Sequence, residues 1–241
     1  MREEFHLKPL STGTKALDES FRGYPKGAIS YLYAESSDTW VRDARNYLGY
    51  RAAAEALRDS GTVIWVDFNS AFLPEMARRA GFDPESPNFL LVQSQTAEQA
   101  LQLVYEVLSS EVSPGVSLVI LEEPRVALLQ DPGEGYYTVA VKTFWEKGIA
   151  QMQNLLRSVD SATVVLVLDC NRRANQEPWT FWRRYVELVL RLCYQRQDAR
   201  ERSHRFRVEV EKDRNWSADP PKNKHFNPIH PQFILNFPGS G

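Results

Sequence analysis

The sequence predicts a single α/β domain: a mostly parallel central sheet with helices on both faces, finished by antiparallel strands near the C-terminus. Three observations carry this. Short apolar runs rich in β-branched residues recur along the first two thirds of the chain, as strands buried on both faces require. Between them lie longer stretches with apolar residues at three and four spacing, as amphipathic helices require. After Trp182 the texture changes to an alternation of apolar and polar residues, the mark of strands covered on one face. With 241 residues, 43% hydrophobic and 25% charged, one core of ordinary size is expected, so residues 1–241 are read as one domain.

Taken in order, Ala28–Ala34 reads as a buried strand and Thr39–Arg58 as a helix with an alanine-rich middle. Gly61 punctuates the chain before Thr62–Asp67, a nearly continuous apolar strand that ends on an acid. A short helix over Leu73–Ala80, a strand over Phe89–Val92 and a helix over Ala97–Leu108 follow. Val116–Leu121 is the next strand, Val139–Val159 a long helix and Thr163–Leu168 another apolar strand. Tyr185–Leu192, Arg205–Glu211 and Phe233–Phe237 alternate, so they are expected as half-exposed antiparallel strands.

Composition excludes several classes of protein. No run approaches the eighteen or so apolar residues of a membrane helix, and Met1–His6 lacks the apolar core of a secretion signal, so the cytoplasm, at the nucleoid, is the expected location. Cys170 and Cys193 sit among apolar residues, which suits buried reduced thiols. His6, His204, His225 and His230 form no metal-ligand spacing, so no metal and no cofactor is expected. Formal net charge is only −2. Yet up to Asp169 there are 15 basic and 23 acidic residues, and after it 14 and 8, giving halves of −8 and +6. A basic C-terminal half suits a surface presented to nucleic acid or to an acidic partner, or a solvated basic sheet edge.

Motif order adds a resemblance. Leu10-Ser-Thr-Gly-Thr-Lys-Ala-Leu-Asp18, then Gly23-Tyr-Pro-Lys-Gly27 and a strand, resembles the start of the ATPase core of the RecA and RadA recombinase family. Ala34-Glu-Ser-Ser37 resembles part of that family's phosphate loop, Val66-Asp67 with Leu73-Pro-Glu-Met-Ala-Arg-Arg-Ala-Gly81 the strand and helix after it, and Asn88–Gln93 with Thr96–Leu101 the segment that follows. The resemblance implies a RecA-like core. It also implies a nucleotide site whose residues here are the wrong ones: beyond Glu35, Ser36 and Ser37, Asp38 stands at the second glycine, Thr39 at the lysine and Trp40 at the magnesium-binding hydroxyl.

Phosphate cradling needs glycines for close backbone approach, a lysine for the β and γ charge and a hydroxyl for magnesium. On this alignment an aspartate adds negative charge where the triphosphate belongs, and an indole takes the volume of metal and hydroxyl. The family's general-base glutamate maps to Asn69, which cannot take a proton from water, and its later glutamine to Asp169 or Cys170. Losing these groups together predicts no hydrolysis, since one transition-state donor alone is worth about 10²–10³ in rate. Glu122 and Glu123 stand where the metal-associated acid lies; they are read as solvated or helix-capping acids in preference to a cation site.

Of the family's two DNA loops, the first maps to the acidic Asp131–Tyr137, with Tyr136 and Tyr137 as stacking candidates. The second, residues 171–183 and the arginine after it, interleaves Arg172, Arg173, Arg183 and Arg184 with Trp179, Phe181 and Trp182. Guanidinium groups neutralise phosphates and indoles stack on unpaired bases, which is how single-strand binders are composed. The other reading of these aromatics starts the next core strand with them. Arg196, Arg200, Arg202, Arg205 and Arg207, then Lys212, Arg214, Lys222 and Lys224 with Trp216, extend a basic track or form solvated turns.

The expected function is therefore a non-hydrolysing accessory protein of DNA repair, in recombination or translesion synthesis. Its expected partners are DNA, single-stranded favoured, and a RecA-type recombinase or a Y-family or replicative polymerase, with no membrane. Only nine residues, a stub over 1–9, precede Leu10, so a long homopolymeric filament is not expected. The alternative is a protein-interaction scaffold related to the KaiC branch of the superfamily, touching no nucleic acid.

Overall fold

A computed structural model describes residues 8–34, 38–68, 70–93, 97–109, 115–123, 144–158, 162–170, 185–195, 204–213 and 232–235. Among the described residues eight strands form one sheet: β1 (Ala28–Ala34), β2 (Thr62–Asp67), β3 (Phe89–Gln93), β4 (Val116–Glu122), β5 (Val164–Cys170), β6 (Leu188–Gln195), β7 (His204–Asp213) and β8 (Gln232–Leu235). Their order across the sheet is β3-β2-β4-β5-β1-β6-β7-β8. Strands β1 to β6 pair in parallel, and β7 runs antiparallel to both β6 and β8.

Helices cover both faces. On one lie α1 (Lys15–Phe21), α2 (Thr39–Arg58) and α3 (Pro74–Ala80), whose Leu17, Phe21, Val41, Leu48 and Ala77 pack with Leu32, Trp65, Ile120 and Leu166. On the other lie α4 (Ala97–Ser109) and α5 (Ala150–Ser158), preceded by a π-helical turn Phe144–Ile149. Val104, Ile149, Met152 and Leu156 there meet Ile29, Ile64, Val119 and Val167. All seven β1 residues are buried, as a central strand covered on both sides must be.

The sequence expectations meet this architecture with three differences. First, the strand after Trp182, expected to be antiparallel, is parallel to β1 in the register Ser30↔Leu188 to Ala34↔Leu192, and only its other edge pairs antiparallel. Its alternation is real, but it arises because Arg191 and Cys193 lie on a polar face, while Val189 and Leu190 remain buried. Second, Cys193 is a half-buried free thiol and not a buried one, because Arg191 and Arg207 are its neighbours there. Third, α1 begins inside the Leu10–Asp18 motif, which carries too few periodic residues to announce a helix.

That motif has a structural purpose. Asp18 accepts hydrogen bonds from Ser11 Oγ (2.7 Å) and the Thr12 amide (2.8 Å), closing the turn ahead of α1. Gly13 takes φ +72°, and a Cβ on it would stand 2.9 Å from the Arg51 carbonyl oxygen. Arg51 returns the contact, donating from Nε (3.0 Å) and Nη2 (2.6 Å) to the Gly13 carbonyl and from Nη1 to that of Ala80 (3.0 Å). One guanidinium thus ties the N-terminal turn and the end of α3 to α2.

Gly49 lets α2 lie close on the sheet. An added Cβ would meet Leu168 Cδ1 at 2.7 Å and the Trp65 ring at 3.2 Å. Glycine inside a helix normally destabilises it by up to about 1 kcal/mol relative to alanine, so this residue is kept for packing. Gly49→Val is expected to destabilise the fold by about 1–3 kcal/mol through overpacking, measured by denaturant unfolding. An unchanged midpoint would mean that the α2–sheet gap accommodates a larger residue.

Candidate functional site

In an open α/β sheet, ligands bind beyond the carboxyl ends of the parallel strands. At that end here stand Asp67 (β2), Glu122 (β4) and Asp169 (β5), all buried, with exposures of 1%, 0% and 2%. Each acid is engaged by the chain's own groups. Asp67 accepts the amides of Ala71 (3.1 Å) and Phe72 (3.0 Å), folding back the segment between β2 and α3. Asp169 accepts a 2.6 Å hydrogen bond from the Tyr31 hydroxyl. Next to it, Tyr33 donates to Glu211 on β7 at 2.8 Å.

Glu122 is the most enclosed. Trp65 Nε1 donates to its Oε2 at 3.0 Å, and the Asn46 side-chain amide donates to Oε1. Arg45, also 0% exposed, lies with Nη2 3.8 Å from Glu122 and Nη1 2.8 Å from Glu123 Oε1. Its Nε and Nη2 donate to Asn46 Oδ1 at 3.1 and 2.8 Å. The expectation that Glu122 and Glu123 are solvated or cap a helix is thereby corrected: both are buried beneath α2, because Arg45 and Asn46 supply the charge and the donors that water would otherwise give.

Sequence order and geometry also part over what faces Glu122. The resemblance puts Thr39 and Trp40 at the lysine and hydroxyl positions, next to the acid that ends β4. In the structure these residues open α2, with Asp38 and Thr39 exposed. Trp40 packs on the β6–β7 pair, its ring 4.0 Å from Tyr194 and 6.1 Å from Phe206 between centroids. In sheet order that pair lies beyond β5 and β1 from Glu122. The groups beside Glu122 are Arg45 and Asn46, six and seven residues farther into the helix, or ~10 Å along its axis. The indole therefore occupies the β6–β7 flank, and the place facing the β4 acid is filled by Arg45 and Asn46.

Of the other sequence candidates, Glu35, Ser36, Ser37, Asn69, Arg172, Arg173, Trp179, Arg183, Arg184, Arg200 and Arg202 lie outside the described residues, as do Arg196, Tyr136, Tyr137, Phe181 and Trp182. Arg207 is described: it is half-buried and hydrogen-bonded to Glu209, which also lies 3.6 Å from Arg191. Its guanidinium is thus drawn into a polar cluster of the sheet. Among the described residues no group of three metal-ligating side chains gathers, and no helix is long and apolar enough to cross a membrane.

The crowding of carboxylates has an electrostatic signature. Burial, with Asp67 adding and Arg45, Trp65 and Asn46 opposing, pushes the Glu122 carboxyl from its ordinary 4.5 up to about 7. A folded-state value above the unfolded one means that the native chain holds the proton more tightly. The contribution of Glu122 is therefore most favourable below about pH 4.5 and is lost as pH rises through about 7. Relative to Glu122→Gln, the wild-type protein is expected to lose on the order of 2–3 kcal/mol of stability between pH 5 and 8. Urea unfolding at both pH values checks this, and parallel pH profiles would refute it.

The RecA N-terminal domain family matches residues 1–134. Among curated proteins, the chain is 32% identical to Protein RecA of Chlorobaculum parvum over 132 residues, 54% of this chain and 35% of that one. It is 30% identical to Protein RecA of Chlorobaculum tepidum over the same shares. With Protein RecA of Prochlorococcus marinus the identity is 32% over 120 residues, 49% of this chain and 29% of the relative. The match thus spans about a third of the length of these relatives. With more than half of its residues matched and the expected α/β sheet beneath them, the chain belongs to the RecA N-terminal domain family.

Proposed function

We propose that this chain is a non-hydrolysing RecA-like accessory protein of DNA repair, acting in recombination or translesion synthesis, that binds DNA and docks on a recombinase or polymerase. The observation that carries the first part is the enclosure of Glu122: the acid at the end of β4 is buried, with its two oxygens taken by Asn46 and Trp65. In P-loop NTPases an acid near this strand end helps to hold magnesium with a phosphate-loop hydroxyl. Here a helix covers it, and no lysine stands in the first two turns of α2, Thr39–Asn46. A triphosphate–magnesium pair has neither a cationic cradle nor an available carboxylate on this reading, and Asn69 in the base position removes proton abstraction as well.

DNA binding rests on composition. Arg172, Arg173, Arg183 and Arg184 with Trp179 combine phosphate-neutralising and base-stacking groups in one stretch, in a C-terminal half carrying +6, and Arg200 and Arg202 continue the charge. The reading favours single strands, because stacking needs unpaired bases. Membership of the RecA family places recombination and repair first among the processes to test. On this reading the chain resembles, in size and architecture, ImuA, the RecA-like subunit of the bacterial translesion mutasome.

Two measurements test this. With MgATP and single-stranded DNA, phosphate release is expected to stay at the level of a protein-free blank; steady turnover would overturn the non-hydrolysing reading. Fluorescence anisotropy with a labelled single strand is expected to give salt-sensitive binding. Arg172→Ala/Arg173→Ala should weaken it and lower the slope of log affinity against log salt by about 1.4, roughly 0.7 for the one phosphate contact of each arginine on a single strand. Absence of binding even at low salt would leave the protein-scaffold reading in its place.

A further inference from the structure

Strand β3 stands at one end of the sheet and, among the described residues, pairs only with β2. Along a strand, successive residues turn their main-chain groups to opposite sides. The Asn88 carbonyl points inward and accepts the Val63 amide of β2 at 2.8 Å. Leu90 and Val92 therefore turn theirs toward β2, while Phe89, Leu91 and Gln93 turn theirs outward. Natural sheets commonly blunt such an edge with charged side chains, proline or a bulge. This strand reads Phe-Leu-Leu-Val-Gln, with no charge and no proline, and its register with β2 is unbroken. Its side chains are open as well as its backbone: Leu90 is 47% and Leu91 36% exposed, and adjacent residues of a strand lie on opposite faces. Tyr105 of α4 and Leu73 ahead of α3, also exposed, add apolar surface on the α4 side and the α3 side.

We propose that this edge docks a second copy of the chain: β3 pairs antiparallel with β3 of the copy about a two-fold axis at Leu91, joining the two sheets into one. The strand is complementary to itself. Its central residue, Leu91, turns both main-chain groups outward, so on the axis it exchanges both hydrogen bonds with its counterpart. In the same register the Gln93 amide reaches the Phe89 carbonyl of the copy. Leu90 then lies opposite Val92 of the copy on one face, and Leu91 opposite Leu91 on the other, so exposed apolar groups cover one another. No charge meets its like across the strands, since β3 carries none. The same lack of charge leaves nothing in β3 to select an acidic or a basic peptide. A two-fold pairing uses the edge of both copies and so closes at two chains. A strand of 5 residues makes a small interface, which implies association in the micromolar range. The inference goes beyond the proposed function, whose partners are DNA and a recombinase or polymerase.

The test uses the full chain. Sedimentation velocity from about 1 to 200 μM is expected to show monomer passing to dimer and to nothing larger. Leu91→Lys sets two like charges on the axis and is expected to weaken association by about tenfold or more. Its unfolding midpoint should be kept, because this side chain is already exposed. Leu91→Glu should behave in the same way. An equimolar mixture of the two variants, which puts opposite charges across the axis, is expected to regain dimers. Leu91→Cys gives a readout that needs no charge, since Cα atoms of a hydrogen-bonded antiparallel pair stand ~5.5 Å apart, within disulfide reach. Mild oxidation should link two Leu91→Cys chains well beyond the level in wild type, whose own thiols are Cys170 and Cys193. A wild type that stays monomeric throughout would overturn the proposal. So would a dimer that survives Leu91→Lys, growth beyond two chains, a mixture that remains monomeric, or Leu91→Cys chains that dimerise without linking. None of these outcomes depends on DNA binding or turnover, so the self-association and the proposed function fail separately.

Discussion

The structure around the carboxyl end of the sheet depends on one requirement: a carboxylate taken fully out of water must be given charge and donors by the protein. Glu122 at the end of β4 is such a group, with 0% exposure. An unpaired buried carboxylate is untenable at neutral pH. Its neighbours follow from that. Asn46 and Trp65 take its two oxygens, Arg45 supplies positive charge, and Gly49 lets α2 come close enough for these contacts to form. Trp65 is itself oriented by stacking on Tyr50, at 4.6 Å and 16° between rings, and the Tyr50 hydroxyl accepts the Leu73 amide ahead of α3. A single buried carboxyl group therefore organises α2, β2, β4 and the approach to α3.

The same rule holds across the sheet. The three acids that end β2, β4 and β5 are each bound by the chain itself, Asp67 by two backbone amides, Glu122 by Asn46 and Trp65, and Asp169 by Tyr31. Each of these hydrogen bonds offsets part of the cost of burying its acid. Polar residues at strand ends thus serve here to terminate strands and to direct the chain that leaves them.

Most of this architecture is legible in the sequence. Strands β1, β2, β4 and β5 are nearly continuous apolar runs, and burial on both faces leaves no other pattern. The direction of β6 is not legible, because alternation reports which face is covered and is silent on the partner strand. The contacts of Glu122 were hidden for a different reason. Motif order counts residues from the phosphate-loop segment and so brings Thr39 and Trp40 to the acid, whereas α2 runs past the strand end for nearly two turns before Arg45 and Asn46 reach it. A signal was nevertheless present. Val41, Ala44, Arg45, Leu48 and Ala52 form one helical stripe, and an arginine on an apolar stripe calls for a buried acid, which Glu122 and Glu123 at the end of an apolar strand provide. The loop arginines and tryptophan, by contrast, are legible only as composition.

Helix α2 then joins parts that the sheet alone keeps apart. Arg45 and Asn46 fasten it to β4, Tyr50 and Arg51 to the two ends of α3, and Trp40 in its first turn to Tyr194 and Phe206 on the antiparallel pair. A helix of 20 residues with backbone hydrogen bonds along its length transmits little internal strain, so these attachments hold one another in register. Loss of any one of them would be felt at the others through a shared rigid body. The C-terminal strands, which follow the arginine-rich stretch in sequence, are in this way braced by the helix that shuts the end of β4. The contacts that tie these elements together all come from the chain's own side chains and from backbone groups they reach.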